Sequence, residues 1–211
     1  MKTAVIVGAT GLIGKQLLQL LLQDPHYEKV KAITRKPLDL KHPKLENLVL
    51  DFEKLSEADV QSDDVFCCLG TTIRIAKTKE AFRKVDYEYP LELARTSKNQ
   101  GATQYLLVSA LGADKNSGIF YNKVKGELEE SISHINFPSV HIFRPSLLLG
   151  ARTEQRAGEG TATAFFKIFG FLIPTKYKAI DSGKIARAML AFAKTNDPGF
   201  YFHESRELQK F

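Results

Sequence analysis

The residues most able to do chemistry at the start of the chain are Gly8-Ala-Thr-Gly11-Leu-Ile-Gly14, between an apolar run and a helix-patterned segment. Gly8 permits a tight turn, Gly11 lets backbone approach a pyrophosphate, and Gly14 lets helix and strand pack closely. The following helix would offer unpaired N–H groups and a positive dipole end to an anion. The spacing G-x-x-G-x-x-G departs from the usual dehydrogenase form G-x-G-x-x-G, and a turn that merely needs glycine is the alternative. Where a carboxylate usually holds the ribose of NAD, this chain reads Thr34-Arg35-Lys36. Arg35 could make a forked contact with a 2′-phosphate, so NADP(H) is favoured over NAD(H). The alternative is that Arg35 is a solvated loop residue. Asp51 is placed either to contact adenine or to cap a turn. The contacts read from these two regions are Gly8, Thr10, Gly11, Leu12, Ile13, Gly14, Arg35, Lys36, Asp51 and Phe52.

A second group sits further along. Tyr121 and Lys125 are four apart in a helical stretch and share a face. Ser109 ends the apolar run just before them. In a doubly wound sheet ligands bind outside the carboxyl ends of the strands, so Ser109 stands on the rim where a ligand is expected.

The elements that must carry these residues follow from apolar patterning. Strands are predicted at 2–7, 30–34, 48–51, 65–69, 105–110 and 139–143, with an edge strand at 200–203. Helices are predicted at 11–23, 78–99 with a kink at Pro90, 118–134 and 181–195. Alternating strands and helices imply parallel pairing, and near-continuous apolar strands imply a sheet covered on both faces. The fold class is therefore α/β, a doubly wound parallel (Rossmann) sheet with strand order 3-2-1-4-5-6. The 211 residues suit a single domain, 1–211, in which 151–180 forms a small C-terminal lobe on the substrate side.

Taken together, the glycine turn, Ser109 and Tyr121-x-x-x-Lys125 resemble the short-chain dehydrogenase/reductases. Cys68-Leu-Gly-Thr-Thr72, Val85-Asp-Tyr87, Val124-Lys-Gly-Glu127 and Phe143-Arg-Pro145 fit the same pattern. The combination is most similar to the Tat-interacting-protein-like branch of the atypical members, over residues 2–195. The resemblance implies that Tyr121 is the general acid/base for a carbonyl or alcohol, with the Lys125 ammonium favouring its phenolate. It also implies that Lys125 binds the nicotinamide ribose and that Ser109 donates to the substrate oxygen. Tyr121 and Lys125 thereby join the cofactor contacts. Leu69, Gly70, Thr71 and Thr72 would line the ribose and pyrophosphate, and Arg144, Pro145 and Ser146 would pass near the nicotinamide. One departure stands out: typical members carry an asparagine where this chain has Asp86, which bears on the proton relay.

Composition narrows the classes further. The formal charge is +6, but no basic run or RNA-binding motif accompanies it, so nucleic acid is not expected as a partner. Adjacent Cys67 and Cys68 suit a buried strand, and the five histidines lack ligand spacing, so no metal is expected. No apolar run reaches the ~18 residues of a membrane span, and the chain reads as soluble and cytoplasmic. The apolar segment 165–173 is read as core packing, a wall for a substrate, or a homo-oligomer contact, ahead of a membrane patch. Two functions compete. One is an NADP(H)-dependent oxidoreductase acting on a small carbonyl or alcohol. The other is an NADP(H)-binding regulatory or protein-interaction protein with little turnover.

Overall fold

The computed structural model describes residues 1–149 and 178–211. In chain order these form β1 (Lys2–Val7), α1 (Leu12–Gln23), β2 (Tyr27–Thr34), β3 (Leu45–Val49), α2 (Glu57–Val60), β4 (Asp64–Cys67), α3 (Ile73–Ala76) and α4 (Lys79–Arg83). Then come α5 (Tyr89–Asn99), β5 (Gln104–Val108), α6 (Phe120–Ser133), β6 (Ser139–Arg144), β7 (Leu148–Leu149), β8 (Ile180–Asp181), α7 (Ser182–Thr195), β9 (Gly199–Glu204) and α8 (Ser205–Leu208). The main sheet has seven strands in the order β3-β2-β1-β4-β5-β6-β9, every neighbouring pair parallel. The expected order is present, and the last strand extends it by pairing with β6. β7 and β8 form a separate two-stranded parallel ribbon. Of the lobe at 151–180, only 178–180 fall among the described residues, and the segment 165–173 lies outside them.

Strand alternation divides the core between two faces. Ala4 and Ile6 on β1, Phe66 on β4 and Leu106 on β5 pack with Leu17 and Leu21 of α1 and Met189 of α7. Val5, Val7, Val65, Tyr105 and Leu107 point the other way, onto Leu93 of α5 and Leu128 and Ile132 of α6. All of these side chains are buried. With helices on both sides, the exposed ends of the strands are the open places for a ligand, and the carboxyl ends carry the loops singled out above.

One expected helix differs in form. The single kinked helix over 78–99 is instead α4, a wide π turn at Lys84–Glu88, and α5 with Pro90 in its first turn. Proline has no N–H to donate, and its ring crowds the carbonyl four residues back. The wider π turn absorbs that conflict, and such turns recur at functional sites. Its consequence here is that Asp86 is buried. Among the described residues no helix is long and apolar enough to cross a membrane.

Candidate functional site

The glycine turn is built as its spacing requires. Gly8 has φ +76°, a region that favours glycine, and a Cβ there would lie 2.4 Å from the Cys68 carbonyl oxygen. A Cβ on Gly14 would lie 2.2 Å from the Gly8 carbonyl oxygen. The loop thus sits against both α1 and the end of β4 with no room for side chains. Gly11 caps α1 without a side-chain hydrogen bond, and the first turn of α1 holds no acidic residue. Among the described residues no side chain caps its first amides or offsets its positive dipole end, which fits a dinucleotide phosphate. Thr10 is exposed, Leu12 half-buried, and Ile13 anchors the turn in the core.

Arg35 and Lys36 are exposed just beyond β2. Thr34 steers the chain there: its hydroxyl donates to the Lys36 carbonyl at 2.7 Å and accepts from Asn47 at 2.8 Å. Asp51 is exposed, and its carboxylate accepts from the Glu53 N–H at 3.2 Å, capping a short 3₁₀ turn. The cap is thus the observed role of that side chain. Phe52 is buried and stacked on Tyr89 at 5.2 Å.

At the end of β4, Leu69, Thr71 and Thr72 are half-buried around exposed Gly70. The Thr71 N–H donates to Asp86 Oδ2 at 2.8 Å, and Thr72 caps α3 by accepting from the Ile75 N–H at 3.2 Å. The other Asp86 oxygen lies 2.8 Å from Lys125 Nζ. Both partners of this ion pair are buried, with side-chain exposures of 1% and 3%. Burial opposes the Lys125 charge, but attraction to Asp86 and to Tyr121 outweighs it and holds the ammonium above its ordinary range. Tyr121, one turn back on α6, is 37% exposed and packs its ring against Phe82 at 5.7 Å. A buried, charged lysine therefore stands one helical turn from a partly exposed phenol. Cys67 and Cys68 add no nucleophile, since desolvation pushes both thiols up.

Ser109 and Arg144 are engaged elsewhere. The buried Ser109 hydroxyl donates to Glu129 Oε1. Arg144 grips the same carboxylate with two N–H groups, Nε at 3.1 Å and Nη2 at 2.5 Å. It also donates to Glu204 at 3.3 Å and lies over the Phe202 ring at 4.2 Å. The guanidinium thus clamps α6 to β9. Pro145 is buried, and its carbonyl accepts from the Leu111 N–H at 2.8 Å. The Ser146 hydroxyl donates to the Lys178 carbonyl and accepts from Ser205 at 2.9 Å. Glu129 is the polar residue that the sequence reading missed. Its signal was present: Tyr121, Lys125 and Glu129 follow one another at four-residue steps on the side of α6 that also buries Val124, Leu128 and Ile132.

Comparison with known proteins places the chain in a family. A family described as NAD(P)H-binding matches residues 8–134. Protein HTATIP2 of Rattus norvegicus is 41% identical over 171 residues, covering 78% of this chain and 70% of its own length. Protein FMP52, mitochondrial, of Debaryomyces hansenii is 35% identical over 185 residues, covering 84% and 80%. Among solved structures, MoeE5 in complex with UDP-glucose and NAD superposes with a TM-score of 0.73 at 16% identity, covering 95% of this chain and 74% of that one. This last likeness concerns the fold alone. Several fungal relatives carry the word mitochondrial in their names, which overturns the expectation of a cytoplasmic protein. That expectation rested on the lack of an apolar span, which does not separate one aqueous compartment from another. The chain belongs to the NAD(P)H-binding family and, within it, to the atypical short-chain dehydrogenase/reductases.

Proposed function

We propose that this chain is an NADP(H)-dependent oxidoreductase acting on a small carbonyl or alcohol. The observation that carries the reading is buried Lys125, paired with Asp86, one helical turn from partly exposed Tyr121, together with the glycine turn after β1. Gly8, Gly11, Gly14 and the first turn of α1 would hold the pyrophosphate. Arg35 and Lys36 would meet the 2′-phosphate, since two cations and no carboxylate follow β2. The bound nucleotide supplies or accepts the hydride. Tyr121 would exchange the proton with the substrate oxygen, and the Lys125 N–H groups not aimed at Asp86 would be left for the ribose. Ser109 stands on the same rim with its proton directed at Glu129. The partner we infer is a small-molecule substrate rather than a nucleic acid or a membrane, with a second copy of the chain as the candidate protein partner.

Calorimetric titration of NADPH and NADH into wild type and Arg35→Ala tests the cofactor reading. NADPH binding that weakens about tenfold or more in the variant, with NADH weaker throughout, is expected; a charged hydrogen bond is worth roughly 1.5–3 kcal/mol. Equal affinity for both nucleotides sinks the NADP(H) preference, and no binding of either sinks the whole reading. A carbonyl and quinone panel, with Tyr121→Phe as control, then tests turnover.

A second reading, an NADP(H)-binding interaction protein with little turnover, draws on Asp86, which spends part of the Lys125 charge on an internal pair. Its mark is partner capture that changes when NADP(H) is added; capture indifferent to the nucleotide counts against it.

A further inference from the structure

We infer that Asn47 is a positioning residue for cofactor choice: from β3 it staples the loop that carries Arg35 and Lys36, so that both cations are held ready for a 2′-phosphate. This rests on the NADP(H) reading above and deepens it, by naming what makes those cations selective.

The loop starts at the level of the glycine turn. β1 and β2 pair in parallel with Val7 opposite Ile33, so Gly8 and Thr34 leave neighbouring strands side by side. Such strands lie about 4.8 Å apart. A nucleotide whose pyrophosphate sits on the glycine turn therefore has the residues after Thr34 as its neighbours on the β2 side. Arg35 and Lys36 are exposed there. Long exposed cations gain little from a partner when their own backbone is loose, because the ordering of both side chains offsets the attraction.

Asn47 removes that looseness with a single amide. It stands opposite Ala32 in the β2–β3 register. Its Nδ2 donates to the Ala32 carbonyl at 2.9 Å and to the Thr34 hydroxyl at 2.8 Å, and its Oδ1 accepts from the Leu38 N–H at 2.8 Å. Both of its N–H donors are thereby used. Thr34 passes the hold on, since its hydroxyl proton goes to the Lys36 carbonyl at 2.7 Å. The bonds run in one sense from Asn47 to Thr34 to Lys36, and hydrogen bonds in series strengthen one another. Lys36 is thus tied at its carbonyl and Leu38 at its amide, and both ties lead to Asn47. Between them Pro37 has its φ locked, and it drives Lys36 to extended backbone. Beyond them Leu38 and Leu40 pack onto the core face that α1 covers, which anchors the far side of the loop.

None of these bonds goes to the Arg35 or Lys36 side chain, so Asn47 acts on the cations through the backbone. Ordering a long side chain on binding costs the equivalent of about two- to tenfold in affinity. A loop held in the free protein lowers that cost, and only a ligand that meets Arg35 and Lys36 gains from it. NADPH carries such a group in its 2′-phosphate, and NADH has a hydroxyl there.

Calorimetric titration of NADPH and NADH into wild type, Asn47→Ala and Arg35→Ala tests this. Asn47→Ala is expected to weaken NADPH about fivefold or more and NADH by less than about twofold, although both cations are still present. A merely structural asparagine would weaken the two nucleotides alike, or neither. Should Asn47→Ala fail to fold, Thr34→Val cuts the tie to the Lys36 carbonyl while keeping the outline of the side chain, and the same selective loss is expected. An NADPH preference that is lost in Arg35→Ala but survives in the folded Asn47 or Thr34 variant overturns the role of Asn47 alone, as does an equal loss of both nucleotides. Equal affinity for the two nucleotides in wild type overturns the NADP(H) reading and this role with it, so the two failures are distinct.

Discussion

Asp64 and Asp86 are both buried carboxylates facing a lysine, at 2.9 and 2.8 Å, near opposite ends of β4. Asp64, the first residue of β4, accepts from Lys2 at 2.9 Å, from the Tyr27 hydroxyl at 2.7 Å and from Gln104 at 2.9 Å. Its lysine also reaches Asn196 at 2.8 Å. The three donors to Asp64 come from β1, β2 and β5, and Lys2 also donates to Asn196 in the turn after α7. Asp86 lies beyond the other end of β4, in a turn rather than a strand, between the loop after β4 and α6. Its lysine has two further N–H groups and an exposed phenol one turn away. The same ion-pair chemistry thus closes the floor of the sheet and arms its rim. What separates the two is whether the surrounding donors are used up by the fold.

The largest effect is expected at the floor. Asp64→Ala leaves Lys2, the Tyr27 hydroxyl and Gln104 without their acceptor, and breaking a buried pair in this way costs roughly 3–5 kcal/mol. Urea denaturation should show that loss, while the folded fraction binds NADPH as wild type does. A folded Asp64→Ala protein with weakened NADPH binding would break the division between floor and rim.

Acid should act at a third place, the outer edge of the sheet. His141 on β6 and His203 on β9 are buried and hydrogen-bonded at 2.9 Å, with Ser139 and Glu207 at the two ends of the chain. Burial, then His203, holds His141 down to about 4. A folded-state value below the ordinary one means that the neutral form is stabilised. The contribution is therefore full above pH ~6.5 and is lost as pH falls toward 4, up to about 3 kcal/mol. Denaturation midpoints of wild type and His141→Gln should converge over that window. Parallel profiles would show that this edge does not sense acid.

Next in size is the rim itself. In Gly14→Ala the new Cβ would press on the Gly8 carbonyl, backbone against which it cannot rotate away. Overpacking of this kind costs about 1–3 kcal/mol. NADPH affinity should fall more than stability if the displaced groups are those that hold the phosphate. Calorimetry beside thermal melting reads both. A pure stability loss would make the cradle no different from the floor.

These contrasts also explain what the sequence reveals. β1 and β5 are legible because both of their faces are covered, so Ala-Val-Ile-Val and Tyr-Leu-Leu-Val are apolar throughout. The cradle is legible because only glycine tolerates its contacts. The π turn is hidden, because Pro90 signals a conflict without saying how the backbone resolves it. The direction of Ser109 is hidden too, since its partner Glu129 is twenty residues away and a carboxylate on a helix usually reads as solvated. β9 is the edge strand that its sequence predicts, while its parallel pairing with β6 is hidden because it depends on the return path through α7.

The smallest expected effect concerns Ser109. Its one proton goes to Glu129, whose other bonds hold Arg144. Ser109→Ala removes one hydrogen bond from a carboxylate that keeps two others, so the stability loss should be about 1 kcal/mol. If Ser109 served mainly as donor to the reacting oxygen, its removal would cost roughly 10²–10³ in turnover, as loss of such a donor does elsewhere. The geometry instead leads us to expect a drop of less than about tenfold, measured on whichever carbonyl compound the panel yields. Glu129→Gln separates the two roles. It keeps one acceptor for Arg144 but gives Ser109 an amide that can donate to it, freeing the hydroxyl proton for the cleft. Turnover that rises in Glu129→Gln and collapses again in the double variant with Ser109→Ala would show Ser109 to be a latent donor held in check by the clamp. Turnover that ignores both changes would leave proton exchange at this rim to Tyr121.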